Sequence, residues 1–323
     1  MPSNAQVSDE ASSIPKDAKT NFLHLSDAEF LVKLRSFAKF KERSHQTHHQ
    51  VHVPELTTRL QLDTSLPTPS EDASPPAPDA PVPNLANTSP ISVVYLGNSM
   101  LERFKTSGIT TDMGKLGDTG VAWNAGVGGD SNQNVAYRLT EGLYDMLKTA
   151  KKDVCDIKLW ILASGTNNLQ KKRAFRKQDM ESWRVLVEAC LRIAPESTVL
   201  ACDMSYRLDI PDEIVDQSNE MLREVVGEIN EALRVENMEK EHELQTYEAQ
   251  TERDREDKVK WVGTRHMFSK NMLDDHVHLN EEGYWLWDFA LWPHVFKVLG
   301  VPTEKDDELL DGMKVSEIPG FSQ

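Results

Sequence analysis

Short, mostly apolar runs that contain β-branched and aromatic residues recur after residue 90, and such runs are typical of buried strands. They lie at 91–96, 121–126, 157–163, 197–202 and, more weakly, 258–262. Between them, apolar residues repeat with helical spacing at about 131–150, 176–193 and 211–235. Strands that alternate with amphipathic helices build a parallel sheet covered on both faces. The pattern therefore predicts an α/β fold with a parallel five-stranded sheet.

The chain before residue 90 has a different pattern. Residues 1–18 are small and polar without periodicity, which predicts disorder. Within 19–64, Ser26 and Glu29 have the spacing of a helix capping box, and an apolar stripe follows. The stripe predicts an amphipathic helix as far as about Lys41. We expect the stripe to dock on the main domain; the alternative is a surface for a protein partner or for a homodimer.

Four histidines follow this helix: His45, His48, His49 and His52. Their i, i+4 spacing allows a metal site, but no carboxylate or cysteine accompanies them. We therefore expect a solvated polar stretch and no metal. Residues 65–90 are rich in Pro, Ala, Ser and Asp, which is typical of a semi-rigid linker. The main domain is accordingly predicted to occupy residues 91–300.

Charged residues dominate two later segments. Residues 236–258 hold few apolar side chains and are predicted to form a solvated helical extension, with a partner-facing arm as the alternative. Residues 301–323 form an acidic tail. The whole chain carries a formal net charge of −16, which argues against nucleic acid as a partner and against an anionic membrane surface.

The apolar runs, the N-terminus and the cysteines of the sequence indicate the cellular compartment of the protein. No apolar run is long enough to span a bilayer, and the N-terminus lacks the basic and apolar regions of a signal peptide. The three cysteines, Cys155, Cys190 and Cys202, are far apart and lie in apolar or helical contexts. They are typical of buried thiols in a reducing compartment. We therefore expect a cytoplasmic protein.

A candidate nucleophile follows the first strand. Gly97 and Asn98 turn the chain, and Ser99 stands before a segment that can become helical. Ligands of open α/β sheets bind outside the carboxyl ends of the strands. A hydroxyl at this turn is therefore free to react, although a serine in this position is also a common helix cap.

Three other loops follow predicted strands or precede the last helix. The second strand ends in Gly126-Val127-Gly128-Gly129-Asp130, whose glycines let backbone N–H groups approach a ligand. A dinucleotide fingerprint fits this loop poorly because its third glycine is displaced. The third strand ends in Gly165-Thr166-Asn167-Asn168. In the last loop, the spacing of Asp275 and His278 lets the carboxylate orient the imidazole.

Together these loops hold the residue types that acyl transfer requires: a nucleophile, oxyanion donors, a base and a group that orients the base. At about 91–300, the sequence resembles the SGNH hydrolases, also called GDSL-like esterases and lipases. The blocks that carry the resemblance are Gly97–Met100, Gly126–Asp130, Gly165–Asn168 and Asp275–Leu279. Within this superfamily, they are most similar to the catalytic subunits of the intracellular platelet-activating-factor acetylhydrolases.

The resemblance implies a flavodoxin-like three-layer α/β/α sandwich and hydrolysis of a small-molecule or lipid ester, acetyl first, without a cofactor. It implies Ser99 as the nucleophile, His278 as the base and Asp275 as its partner. Backbone N–H groups of Ser99 and Gly129 and the side chain of Asn167 would form the oxyanion hole. Asn98, Gly128 and Asp130 would support them.

One residue departs from the family pattern. Asn98 stands where the family has Asp, so a charge that helps to brace the serine turn is replaced by a neutral amide. We expect an active hydrolase, and we expect Asn98→Asp to preserve or raise its activity. The alternatives are a catalytically inactive binding protein of the same fold and, less favoured, a nucleotide-binding protein.

Overall fold

The computed structural model describes residues 22–62, 89–244 and 256–300. Three predictions lie outside these ranges: the disorder of 1–18, the linker of 65–90 except for its last two residues, and the acidic tail of 301–323. So do residues 245–255 of the charged segment.

The centre of the fold is a five-stranded sheet in the order β2-β1-β3-β4-β5. Its strands are β1 (Ile91–Gly97), β2 (Ala122–Gly126), β3 (Cys155–Ala163), β4 (Thr198–Cys202) and β5 (Val259–Val262). All neighbouring strands are parallel. The predicted α/β class is therefore confirmed, and the strand order is that of flavodoxin-like sheets. In this order the chain reverses direction across the sheet at β1 and β3, where a crevice forms outside the strand ends.

Alternate residues of each strand face opposite layers of the core. Val93 and Tyr95 pack with α4 (Ser99–Glu102), α5 (Asp112–Leu116) and α10 (Glu281–Leu299). Val94 and Leu96 face the other layer. That layer contains α6 (Asn132–Arg138), α7 (Tyr144–Lys148), α8 (Lys177–Ile193) and α9 (Asp212–Leu244). A π-helical turn, Leu139–Leu143, joins α6 to α7.

The N-terminal segment belongs to the second layer. It forms α1 (Asp27–Phe37), α2 (Glu42–Thr47), a π-helical turn (His48–His52) and α3 (Val53–Arg59). Ser26 and Glu29 cap α1 reciprocally, as their spacing indicates. The apolar stripe of α1 is buried in the chain's own core, with Phe30 and Leu34 fully inaccessible. A protein partner of this helix would have to bind another face.

The prediction of a solvated histidine stretch is wrong for two of its members. His48 and His52 are fully buried, and the His52 ring lies 5.5 Å from the ring of Trp123. The wrong prediction arose because the helix turns its i, i+4 pair towards the sheet. Burial lowers the pKa of His48 to about 4 and that of His52 to about 2. Among the described residues, no cluster of three or more His, Cys, Asp or Glu is arranged to hold a metal.

Helix α9 continues beyond its core face into the charged segment. An ion pair of 2.6 Å between Arg234 and Asp257 ties the helix to the chain that leads into β5. None of the helices in the described ranges has the length and apolarity needed to cross a membrane.

Candidate active site

Ser99 is the first residue of α4 and follows directly from the carboxyl end of β1. Two glycines make this sharp turn possible. A Cβ on Gly97 would lie 2.0 Å from the carbonyl oxygen of Ala163, and a Cβ on Gly126 would lie 2.3 Å from the backbone nitrogen of Glu102. Without side chains at these positions, β1 approaches β3 and α4 approaches β2. The half-buried Ser99 is thereby held at the edge of the sheet.

Asn98, not Ser99, caps the helix. Its Oδ1 accepts a hydrogen bond of 3.0 Å from the backbone N–H of Met100. Because the cap is already provided, the Ser99 hydroxyl is available for another partner. That partner is His278.

A continuous hydrogen-bond chain joins Ser99, His278 and Asp275. The Ser99 Oγ lies 2.8 Å from His278 Nε2, and His278 Nδ1 lies 2.7 Å from Asp275 Oδ2. A carboxylate can only accept, so Nδ1 carries the imidazole proton and Nε2 is left to accept the hydroxyl proton. The structure thus brings together the three residues that the sequence predicted, in the geometry of a nucleophile, a base and its orienting acid.

Asp275 is fixed by its own loop. Its Oδ1 accepts the backbone N–H groups of Val277 (2.8 Å) and His278 (2.9 Å). Partial burial opposes ionisation, but these bonds and the bond from the imidazole outweigh it and hold the pKa of Asp275 well below its usual range. The Arg103 guanidinium, 3.7 Å away, adds positive charge on the outer side. Asp275 is therefore a carboxylate at neutral pH.

Asp274 and His276, the acid and the histidine beside this pair, do not take part in the hydrogen-bond chain. Asp274 pairs with Arg103 at 3.5 Å, and the His276 side chain is 55% exposed. Only a long contact of 3.9 Å joins His276 Nδ1 to Asp275. Asp274 and His276 are thus natural controls for the other pair.

The second loop supplies a candidate oxyanion donor. Gly129 has a φ of +76°, a conformation that L side chains rarely adopt. Within the part of the chain that the structure describes, the N–H groups of Gly129 and Ser99 have no hydrogen-bond partner. Gly128 leaves room for an ion pair, because a Cβ there would lie 2.6 Å from the Arg43 guanidinium and 2.7 Å from the Glu102 carboxylate.

Asp130 anchors this loop to α6. It is fully buried and forms an ion pair of 2.9 Å with Arg138, which is also inaccessible. Burial raises the pKa of the Asp130 carboxyl, and the adjacent guanidinium opposes that shift. Arg138 also donates to the carbonyl oxygens of Ala125 (2.8 Å) and Gly97 (3.1 Å). One buried cation therefore connects the ends of β1 and β2 with the glycine loop.

The third loop reaches the second through two amides. Asn167 is exposed, and its Nδ2 donates to the backbone oxygen of Asp130 at 2.9 Å. An amide nitrogen carries two hydrogens, so one remains for a substrate oxygen. Asn168 instead binds the start of α6, accepting from the Asn132 N–H and donating to Gln133, both at 2.9 Å.

A small cavity of about 10 Å³ lies beside Asn98, and its lining is part polar and part apolar. Asn98 and Asp203 both line it, and the Asn98 Nδ2 has no hydrogen-bond partner among the described residues. Asp203 accepts from the Thr264 hydroxyl (3.0 Å) and from the Arg265 N–H (2.8 Å). Burial raises the pKa of Asp203 despite these bonds.

Sequence reasoning missed four residues around the site: Lys41, Arg103, Arg138 and Asp203. Arg138 had a detectable signal, since it is a charged residue in a helix segment whose neighbours Val135 and Leu139 are apolar. The other three residues had no signal in the sequence, because their contacts join distant parts of the chain. Lys41 contacts Gly129, 88 positions away, Arg103 contacts Asp274, 171 positions away, and Asp203 contacts Thr264, 61 positions away.

No family model and no curated protein matches this chain. Several solved structures have a similar fold. A GDSL-like lipase from Bacteroides thetaiotaomicron is 14% identical, with 64% of this chain and 88% of that chain covered and a TM-score of 0.39. A member of the lipolytic protein G-D-S-L family from Veillonella parvula is 17% identical (64% and 98% covered, TM-score 0.38). A carbohydrate esterase of family 3 from Talaromyces cellulolyticus is 13% identical (66% and 100% covered, TM-score 0.39).

Proposed function

We propose that this chain is a serine ester hydrolase that transfers a short acyl group to water through an acyl-enzyme intermediate. The observation that supports this function is the hydrogen-bond chain from Asp275 through His278 to Ser99, at 2.7 and 2.8 Å. These distances lie within hydrogen-bond reach for both the nucleophile and its base.

In the first step, Ser99 Oγ forms a bond to the ester carbonyl carbon while its proton passes to His278 Nε2. The carbonyl oxygen becomes an oxyanion. Its collapse breaks the bond to the alcohol oxygen, which takes the proton from Nε2 as it leaves. Asp275 stabilises the imidazolium that exists between these events.

Three donors suit the oxyanion. The N–H groups of Ser99 and Gly129 have no partner in the described ranges, and the Asn167 amide retains one hydrogen. Donors that are already oriented stabilise charge without reorganisation, which is the largest single contribution in many acyl transfers. Because the bond strengthens as charge develops, it lowers the barrier more than it tightens substrate binding.

The second step mirrors the first. Water gives its proton to His278 Nε2 and adds to the acyl carbon. Collapse of the second oxyanion breaks the bond to Ser99 Oγ, and the serine recovers its proton. The residue types need no cofactor for this sequence, and the resemblance described above favours an acetyl or other short acyl group on a small-molecule or lipid alcohol.

The test is an aryl-ester series from acetyl to octanoyl, assayed with the wild type and with Ser99→Ala. We expect the highest kcat/KM on the shortest esters and a loss of about a thousandfold or more in Ser99→Ala. Equal inactivity of both proteins across the series would refute the proposed hydrolase activity. The alternative to examine would then be a catalytically inactive binding protein of the same fold.

The last loop provides matched controls. His278→Ala and Asp275→Asn should each lower kcat strongly, whereas His276→Ala and Asp274→Asn should stay within about threefold of the wild type. Circular dichroism and melting temperature establish that all four variants are folded. A loss in His276→Ala that equals the loss in His278→Ala would contradict the assigned base.

A further inference from the structure

The N-terminal segment crosses the candidate active site between two anchors. Helix α1 is fixed by the buried Phe30 and Leu34, and α3 is fixed by the buried Leu56. The intervening residues 38–48, here called the strap, pass over the outside of the glycine loop. Backbone bonds at Lys39 hold the strap to the start of α6: its N–H donates to Gln133 at 3.0 Å.

Two strap side chains contact the glycine loop directly. Lys41 Nζ donates to the backbone oxygen of Gly129, and Ser44 Oγ donates to Asp130 Oδ2 at 3.1 Å. The Lys41 ammonium lies 2.6 Å from the point where a Cβ on Gly129 would stand. Because Gly129 has no side chain, it can adopt the left-handed conformation and also leave room for the Lys41 ammonium.

The buried Asp130 carboxylate interacts electrostatically with Lys41 but is itself paired with Arg138. In residues 22–62, 89–244 and 256–300, no carboxylate lies within 4.0 Å of its ammonium. By contrast, the next cation of the strap, Arg43, is paired with Glu102 at 3.0 Å. Lys41 thus places a positive charge without a direct ion-pair partner among the described residues beside the residue whose N–H is the proposed oxyanion donor.

We infer that Lys41 is a positioning residue for ester hydrolysis, which rests on the function proposed above. Its bond to the Gly129 carbonyl fixes the orientation of the loop and so of the Gly129 N–H. Its charge raises the positive potential where the oxyanion develops. The strap is therefore a functional part of the active site.

A purely structural role for Lys41 has different consequences. If the lysine only pinned the strap, its loss would lower the melting temperature, and activity would fall with the fraction of folded protein. If it acts on the oxyanion donor, kcat falls in fully folded protein while KM changes little.

The experiment compares Lys41→Met, Lys41→Arg and Lys39→Met in the full-length chain on the best aryl ester. Lys39 is an exposed cation of the same strap, so Lys39→Met controls for general loss of charge. We expect Lys41→Met to lower kcat by about ten- to a hundredfold, less than the loss of a direct oxyanion donor. Lys41→Arg should recover most of the rate, and Lys39→Met should match the wild type.

An aryl boronic acid gives a readout that does not depend on turnover, because its adduct with a serine is a tetrahedral anion. Its affinity should fall in Lys41→Met by the same factor as kcat, with an unchanged melting temperature. Ser99-dependent turnover and boronate affinity that both survive Lys41→Met would overturn this inference alone. Turnover that survives Ser99→Ala would overturn the proposed function and this inference with it.

Discussion

Asn98→Asp puts a carboxylate where the structure holds an amide, and the outcome depends on what surrounds each atom. The Oδ1 accepts from Met100 N–H, and a carboxylate oxygen would accept this bond equally well. The Nδ2, however, is buried and finds no acceptor among the described residues. Hydroxyl groups accept as well as donate, so none of the described residues has a hydroxyl within bonding distance that could donate to a carboxylate oxygen at this position.

The expected cost falls on stability. A buried acceptor without a partner costs about 1–3 kcal/mol, and more when it is charged. Asp203 lines the same cavity, so the new charge would also face a carboxyl group whose pKa burial already raises. We therefore expect Asn98→Asp to destabilise the fold by about 2 kcal/mol or more at pH 8, which lowers the melting temperature by about 4–8 °C. Activity per folded molecule should be preserved, because the cap that positions Ser99 is kept.

A double-mutant cycle isolates the contact between the two groups. The four proteins are the wild type, Asn98→Asp, Asp203→Asn and the variant with both changes, each melted at pH 5 and pH 8. The double variant exchanges the amide and the acid, so it should be more stable at pH 8 than the two single effects predict. At pH 5 the penalty of Asn98→Asp should shrink, since a buried acid with a raised pKa takes up a proton.

Equal melting temperatures of Asn98→Asp and the wild type at pH 8 would refute this reasoning. Additive effects in the cycle would show that Asp203 does not sense position 98, even if the single variant is unstable.

The remaining predictions concern single side chains. Asn167→Ala should lower kcat by about a hundred- to a thousandfold with an unchanged melting temperature, whereas Asn168→Ala should cost about 1 kcal/mol of stability and little activity. Burial raises the pKa of Glu188 from 4.5 to about 7, so the folded protein binds the extra proton and loses stability as pH rises through this range. Glu188→Gln should therefore equal the wild type at pH 5 and exceed it by about 2 kcal/mol at pH 8, measured by denaturant unfolding. Leu34→Ala should cost about 2–5 kcal/mol, and Val32→Ala, on the exposed face of the same helix, about 0.5 kcal/mol or less.

The sheet and its loops were predictable because their signals are local. Each strand contains a short, mostly apolar run that ends at or just before a turn, and the strand boundaries in the structure lie within about two residues of those predicted. Parallel strands carry their carboxyl ends to one edge, so Ser99, Asn167 and the glycine loop had to converge once the sheet was accepted. The pairing of Asp275 with His278 followed from their three-residue spacing, because the neighbouring Asp274 and His276 do not have this spacing to a partner.

The strap could not be predicted in the same way. Its contacts with the glycine loop span 86 to 88 positions of sequence, and neither the periodicity of α1 nor the histidine spacing indicates where the segment lands. The burial of His52 shows the same limit. An i, i+4 pair of histidines is compatible with a solvated face or with a face against the sheet, and only the packing against Trp123 decides between them.

Asn98 lacks the charge of the aspartate that the sequence resemblance leads one to expect at this position. A charged group from another element contacts the same turn. In the structure, Arg138 makes a charge-assisted bond to the turn that precedes Ser99: its guanidinium donates to the carbonyl of Gly97, directly before Asn98. The same guanidinium is held by Asp130, so the turn and the glycine loop share one buried ion pair. Position 98 is then required only to cap α4, which the neutral Oδ1 of an amide does as well as a carboxylate. An amide there also avoids a second acid in the cavity that Asp203 lines, so the neutral residue is compatible with the hydrogen-bond chain of Ser99, His278 and Asp275.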